Sequence, residues 1–327
     1  MSRGLLCFGN PLIDSYAFVE DAFLEKNKLI KGSNAILTKE EISNITKDLE
    51  FVFIDCGGSS SNVARGIGIL GYRVGLVGQY GDDETGKIVE KSLKSCNVEN
   101  LSFVKPGGIT TQVVACITSD AQRTMFAIFG ASHEEYIKPF DLEILNDWEG
   151  ILLEGYHFCN ASLNGLAQKV AHKAKELNKK TILIISSIFQ VPGYKENLLQ
   201  AINCFSIVTG TSEEFMQLFD KNDIEEMLEY LEKSNFELAA VTLGKEGSYI
   251  IYKGKRMFVN APAVENVVDT TGAGDCFAAG LLFGYFSGYP LEKSIEIANI
   301  MAGQAISKIG VCLNDEVKEK VRNKLVR

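Results

Sequence analysis

Histidine is scarce in this chain. The three present, His133, His157 and His172, have no spacing that would hold zinc. The eight cysteines include no Cys-x-x-Cys pair, and most lie within apolar runs. That argues against a disulfide framework and for reduced, mostly buried thiols, as in a cytoplasmic protein. No apolar run approaches the length that spans a bilayer, so no membrane partner is expected. Positive charge is in deficit, with 33 Lys and Arg against 42 Asp and Glu and a formal net charge of -9. A chain-wide nucleic-acid-binding surface is not expected from that balance. Internal repeats, low-complexity segments and an interdomain linker are all missing. The first expected strand, Leu5 to Phe8, begins too early to leave room for a targeting peptide. The early glycines do not form G-x-G-x-x-G directly after that strand, which sets a dinucleotide fold low among the options.

What is present points to a large α/β domain. The 327 residues are 46% hydrophobic, enough for a sizeable core. In the second half, apolar runs alternate with helical patterns. Strands are expected at Ile151–Leu153, Thr181–Ile185, Cys204–Val208, Leu238–Thr242 and Ser248–Tyr252. Helices are expected with Leu163, Leu166, Val170, Ala174 and Leu177 on one face, over Lys195–Ile202 and Ser212–Phe219, and from Gly274 and Leu291. Continuous apolar strands separated by helices predict a mostly parallel sheet covered on both faces. The first half differs, with mostly polar, alternating regions over 15–54 and 101–129. The second reads as a hairpin, Gln112–Thr118 with Thr124–Phe129. These two regions are expected to join as a small β-rich lid over a catalytic domain built from 1–14, 55–100 and 130–327. A lid of this kind excludes water during chemistry.

The most informative stretch is Asp269-Thr270-Thr271-Gly272-Ala273-Gly274-Asp275-Cys276-Phe277. Small residues precede a helix whose apolar face carries Phe277, Ala278, Leu281, Leu282, Tyr285 and Phe286, and which Gly288 and Pro290 end. Backbone N–H groups at such an N-terminus, with the helix dipole behind them, form an anion site. Asp275 beside it places a base next to an anion hole, the arrangement that phosphoryl transfer to a hydroxyl needs. A purely structural glycine-rich turn is the competing reading.

Three further groups fall upstream. Gly9-Asn10-Pro11-Leu12-Ile13-Asp14 follows the first strand, where parallel sheets bind ligands, and Asp14 can accept hydrogen bonds from a polyol or cap a turn. Gly57-Gly58-Ser59-Ser60-Ser61-Asn62 opens a helix, where the glycines permit close backbone approach and Ser59 or Ser60 can cap. Gly75 to Gly86 reads mostly as a strand-turn-helix junction.

Together these motifs resemble the ribokinase-like (PfkB) carbohydrate kinase family over almost the full length. The Asp269–Asp275 stretch is similar to that family's C-terminal signature, and the second and third groups to its looser N-terminal one. Within the family, the opening residues, Ala115-Cys116-Ile117-Thr118 and Ser186-Ser187-Ile188-Phe189 resemble the adenosine kinase branch. The resemblance implies a three-layer α/β/α fold with a β lid, and transfer of phosphate from ATP to the 5′-hydroxyl of a nucleoside, with Mg2+. It implies Asn10, Asp14, Gly58, Ser59, Asn62 and Thr271 around the sugar, and Phe189 stacked on the base or else packed in the core. It implies Asp275 as base, with the amides of Gly272, Ala273, Gly274 and Asp275 as anion hole. Thr242, Gly244 and Gly247 match a loop near the ATP phosphates, and Arg123 a lid arginine whose alternative is a solvated hairpin charge. Glu213 matches a glutamate that organises Mg2+ through water, although Gly210 stands where the family carries Asn. A K+ site in many relatives maps onto Asp269, Thr271, Ala305, Gly310 and Asn314. A sugar kinase of the same fold and a non-catalytic nucleoside-binding relative remain alternatives, and the protein is expected as a monomer or a lid-mediated homodimer.

Overall fold

The structure, a computed structural model, describes residues 4–119, 122–159, 161–186, 189 and 191–325. Its strands in chain order are β1 (Leu5–Phe8), β2 (Leu12–Phe18), β3 (Asn34–Ile36), β4 (Phe53–Gly57), β5 (Val74–Val77), β6 (Gln79–Gly81), β7 (Glu99–Asn100) and β8 (Phe103–Lys105). They continue with β9 (Gln112–Ile117), β10 (Arg123–Ile128), β11 (Gly150–Glu154), β12 (Lys180–Ile184), β13 (Ile207–Thr211), β14 (Leu238–Thr242), β15 (Gly247–Tyr252) and β16 (Lys255–Asn260).

Nine strands form one sheet in the order β16-β15-β14-β13-β12-β11-β1-β5-β7. All neighbours run parallel except β14 with β15 and β15 with β16. The apolar runs explain this. In β1, Leu5 and Cys7 join the buried cluster on one face, while Leu6 and Phe8 join the cluster on the other. Only a sheet covered on both sides buries every residue of such a strand. The sheet is thus mostly parallel and covered on both faces, as the alternation of elements predicts, in the three-layer α/β/α arrangement that the family resemblance implies.

A second, five-stranded sheet has the order β3-β10-β9-β2-β4. It draws on both polar regions of the first half, with the hairpin β9–β10 at its centre. It has a small core of its own, where Leu24, Ile42 and Ile45 meet Val114, Cys116, Phe126 and Ile128. Leu24 comes from the helix Asp21–Lys26, and Ile42 and Ile45 from the helix Lys39–Thr46. Neither helix stood out in the sequence. Strand β8 pairs with β6 rather than with the hairpin.

Two local expectations shift. Cys204–Val208 reads as a strand, yet Ile202–Cys204 is a 3-10 turn, and β13 starts only at Ile207. The helix Ala273–Phe286 is buried on almost every side, not one face, because it lies between the helices Ser59–Ile69 and Leu291–Ala305. The tip of the hairpin, at 120 and 121, lies outside the described residues.

Candidate active site

The site forms where the carboxyl ends of β1, β4 and β11 meet the N-termini of the helices Ser59–Ile69 and Ala273–Phe286. Gly58 caps the first helix at φ +93, and a Cβ there would strike the Asn10 carbonyl at 2.4 Å. A Cβ on Gly57 would lie 2.0 Å from the Asp14 carboxylate. These two glycines let the chain turn while Asn10 and Asp14 press against its backbone. Asn10 is buried, and its Oδ1 has no partner among the described residues. A buried acceptor left without a donor is a place where a ligand hydroxyl completes the bonding.

Gly272 caps the second helix at φ +70, where an added Cβ would meet Val311 at 2.2 Å. Among the described residues no side chain caps this helix. The Ala273 N–H donates to Thr270 O at 3.3 Å, whereas among the described residues the amides of Gly272, Gly274 and Asp275 have no partner. Among the described residues nothing lies within 4 Å of a Cβ built on Gly274, so the approach to these donors is open. Unsatisfied N–H groups at an open helix start, with the dipole behind them, attract an anion.

Asp275 lies in the first turn of this helix. Ser59 Oγ donates to its Oδ1 at 2.6 Å, and Asn62 Nδ2 to its Oδ2 at 2.9 Å. The first glycine cluster thus aims the carboxylate of the second. Burial pushes the Asp275 carboxyl above its ordinary range, and the two hydrogen bonds partly offset this. Asp14 rises to about 7, chiefly through burial; the Arg65 guanidinium opposes the rise, while Asp275, Asp269 and Asp55 add to it.

Several expected residues gather around this pair. Arg123 of β10 donates to Thr271 Oγ1 at 2.6 Å and forms an ion pair with Asp269 at 2.7 Å. Asp269 also accepts from the Thr271 and Gly310 amides at 2.9 and 3.0 Å. Arg123 is therefore held by the glycine loop rather than solvated at a hairpin tip. Ala305 ends the helix Leu291–Ala305, and the next carbonyl, Ile306 O, accepts from the Val268 and Asp269 amides. Asn314 Oδ1 accepts from the Glu316 and Val317 amides at the start of the helix Asp315–Leu325.

The other expected residues form a second group along the same edge. Thr242 ends β14 and donates to Gly210 O at 3.3 Å. Gly244 and Gly247 take φ +58 and +132 in the turn that follows. Glu213 is exposed in the first turn of the helix Ser212–Phe219 and accepts from Ser212 Oγ at 3.1 Å. A Cβ on Gly210 would meet Glu214 Oε2 at 2.8 Å, so the glutamate of the capping box fills the space an asparagine would take. Phe189 is half-buried, edge-on to Tyr194 with ring centres 5.2 Å apart, and Tyr194 bonds to Ser186. Ser187 and Ile188 lie outside the described residues. Among the described residues no group of three or more His, Cys, Asp or Glu could hold a metal. An exposed Glu213 fits a Mg2+ bound mainly by phosphates and water.

The sequence reading missed two buried ionisable residues. Glu154, at the end of β11, accepts from the Asn10 amide at 2.9 Å and the Ser60 amide at 2.8 Å. It ties β1 to the helix that carries Ser59 and Asn62. Burial raises its carboxyl to about 7 and lowers the neighbouring His157 to about 4, so at intermediate pH both are neutral rather than paired. The available signal was a carboxylate directly after Ile151–Leu153 at the ligand edge of a parallel strand. Arg65 is buried in the helix Ser59–Ile69, where it pairs with Asp55 at 2.6 Å and donates to the Cys56 carbonyl. It also reaches Asn62 Oδ1 and Val311 O, each at 3.4 Å.

Comparison with known proteins agrees with this geometry. The profile of the pfkB family carbohydrate kinases matches residues 35–318. A 5-dehydro-2-deoxygluconokinase from Listeria innocua is 24% identical over 284 residues, 82% of this chain and 86% of that protein. An adenosine kinase from Schizosaccharomyces pombe is 25% identical over 327 residues, 93% of this chain and 94% of its own. The crystal structure of adenosine kinase from Sinorhizobium meliloti superposes with a TM-score of 0.86 at 30% identity, covering 98% of each chain. The chain belongs to the pfkB family of carbohydrate kinases, and the helix start at Gly272 with Asp275 beside it lies within the matched region.

Proposed function

We propose that the protein transfers the γ-phosphoryl group of ATP to the 5′-hydroxyl of a nucleoside, adenosine before others, giving the monophosphate. The observation that carries this is the Asp275 carboxylate, held by Ser59 and Asn62 beside the open amides of Gly272, Gly274 and Asp275. In the step, the acceptor oxygen bonds to Pγ as the bond from Pγ to the bridging oxygen breaks. Asp275 takes the hydroxyl proton and ADP leaves. Burial raises the pKa of Asp275, which narrows the gap to the acceptor hydroxyl whose proton it must remove. The amides stabilise charge as it moves between the phosphates. Mg2+, when bound with ATP, neutralises the phosphates, and Glu213 would hold it through water.

Asn10 and Asp14 bind the ribose hydroxyls in this reading, with Gly58 and Ser59 lining the same face and Thr271 at the rim. Phe189 stacks on the base. Thr242, Gly244 and Gly247 lie along the ATP phosphates. The second sheet is the lid, contributing Arg123 and shielding the reacting atoms from water. All eight cysteines are free, and we place the protein in the cytoplasm on that chemistry.

A sugar acceptor is the second reading. It is favoured by the Listeria innocua relative, a 5-dehydro-2-deoxygluconokinase. Release of ADP across a panel of nucleosides, ribose, fructose and related sugars separates the two. Turnover of adenosine above every sugar supports the proposal. Turnover of sugars alone replaces it with the second reading, and tight adenosine binding without ADP release overturns both.

A further inference from the structure

We infer that this protein supplies its own cation at the loop beside the anion hole: the Arg123 guanidinium occupies the seat that a monovalent metal ion would take. Five residues map onto a K+ site, and four of them, Asp269, Thr271, Gly310 and Asn314, are already engaged. Asp269 is 2% exposed. Its Oδ1 receives Thr271 N and Arg123 Nη1, and its Oδ2 receives Gly310 N. Among the described residues every polar contact of the carboxylate is thus with a donor. The Thr271 hydroxyl accepts from Arg123 at 2.6 Å. Asn314 Oδ1 is turned to the helix Asp315–Leu325, where it accepts two amides. Gly310 is closed over by Phe53, whose ring would lie 2.4 Å from a Cβ there.

A K+ ion would have to displace the guanidinium from Asp269 Oδ1 and Thr271 Oγ1, or sit beside its fixed positive charge, which repels it at short range. With Arg123 in place the residues therefore do not fit a bound K+. They fit a guanidinium, planar and always charged, which spans Asp269, Thr271 and Thr270 at once. The tether matters as much as the charge. Arg123 belongs to β10 and Phe53 to β4, both in the second sheet. The cation that steadies the Thr270–Gly272 loop thus arrives with that sheet rather than from solution.

The experiment compares thermal unfolding of the full chain in KCl and in tetramethylammonium chloride at equal ionic strength, for wild type, Arg123→Ala and Arg123→Lys. This readout needs no substrate, so it stands or falls apart from the proposed reaction. The expected result is one Tm for wild type in both salts, and the same indifference for Arg123→Lys, which keeps the charge. Arg123→Ala is expected to unfold earlier and to regain about 2–4 °C in KCl only, as K+ enters the vacated seat. A wild-type Tm that rises with K+ overturns the inference. So does an Arg123→Ala protein that ignores K+.

Discussion

Glu154 holds two backbone donors on one carboxylate, and a single-atom change exposes what that arrangement does. In Glu154→Gln, one of the Asn10 and Ser60 amides must face an NH2 group instead of an oxygen. We expect a loss of about 1–3 kcal/mol, read from urea unfolding. The pH dependence identifies the group. Its folded carboxyl is raised to about 7 from an ordinary 4.5. Between these values the folded chain holds the extra proton, so this group's contribution to stability falls as pH rises through about 7. The variant should lose that part of the slope and keep the part due to Asp14, which is also raised to about 7. Parallel pH curves for the two proteins would contradict the assignment. Asp275 and the glycines around it were legible because small residues before a helix and a carboxylate in its first turn are a local pattern. Glu154 and Arg65 were not. Their burial depends on partners as distant as residues 10 and 311, which no local window contains.

Helix packing fixes the direction in which the Ala273–Phe286 amides point. Gly280 and Gly284 face the helix Leu291–Ala305 so closely that a Cβ on either would lie 2.6 Å from a backbone atom of Ala298 or Ser294. Alanine is the better helix former by about 1 kcal/mol. Overpacking against backbone costs about 1–3 kcal/mol and should win. We therefore expect Gly284→Ala to unfold at lower urea than wild type; greater stability would mean that the helices are free to separate. Most strands and helices of the second half could be read from apolar periodicity, because a parallel sheet demands continuous apolar runs. The helices Asp21–Lys26 and Lys39–Thr46 could not. The first spans only six residues, and the second offers little beyond Ile42 and Ile45 to mark a buried face. Cys204 is apolar enough to pass for strand, yet it closes a 3-10 turn, so composition misplaced the start of β13.

The molecule assembles its site from both ends of the chain and from both sheets. Ser59 and Asn62 reach Asp275 across 216 and 213 residues. The ion pair of the buried Arg65 with the part-exposed Asp55 joins the helix Ser59–Ile69 to β4 of the second sheet. Removing Asp55 would leave a buried guanidinium without its carboxylate. Asp55→Ala should cost about 3–5 kcal/mol, seen as a lower urea midpoint with an unchanged slope. A loss below about 1 kcal/mol, the scale of an exposed pair, would mean that water already screens it. The large sheet and the membership of a second sheet could be anticipated from the two contrasting halves. The pairing of β8 with β6 could not, because a three-residue strand carries no periodicity. The central claim is that Asp275 removes a proton beside a cradle of amides, and ADP release by wild type and Asp275→Asn, with the best acceptor of the panel, tests it most directly. The account predicts that the variant still binds acceptor but turns over about 10²–10⁴ times more slowly. Turnover close to wild type would contradict it.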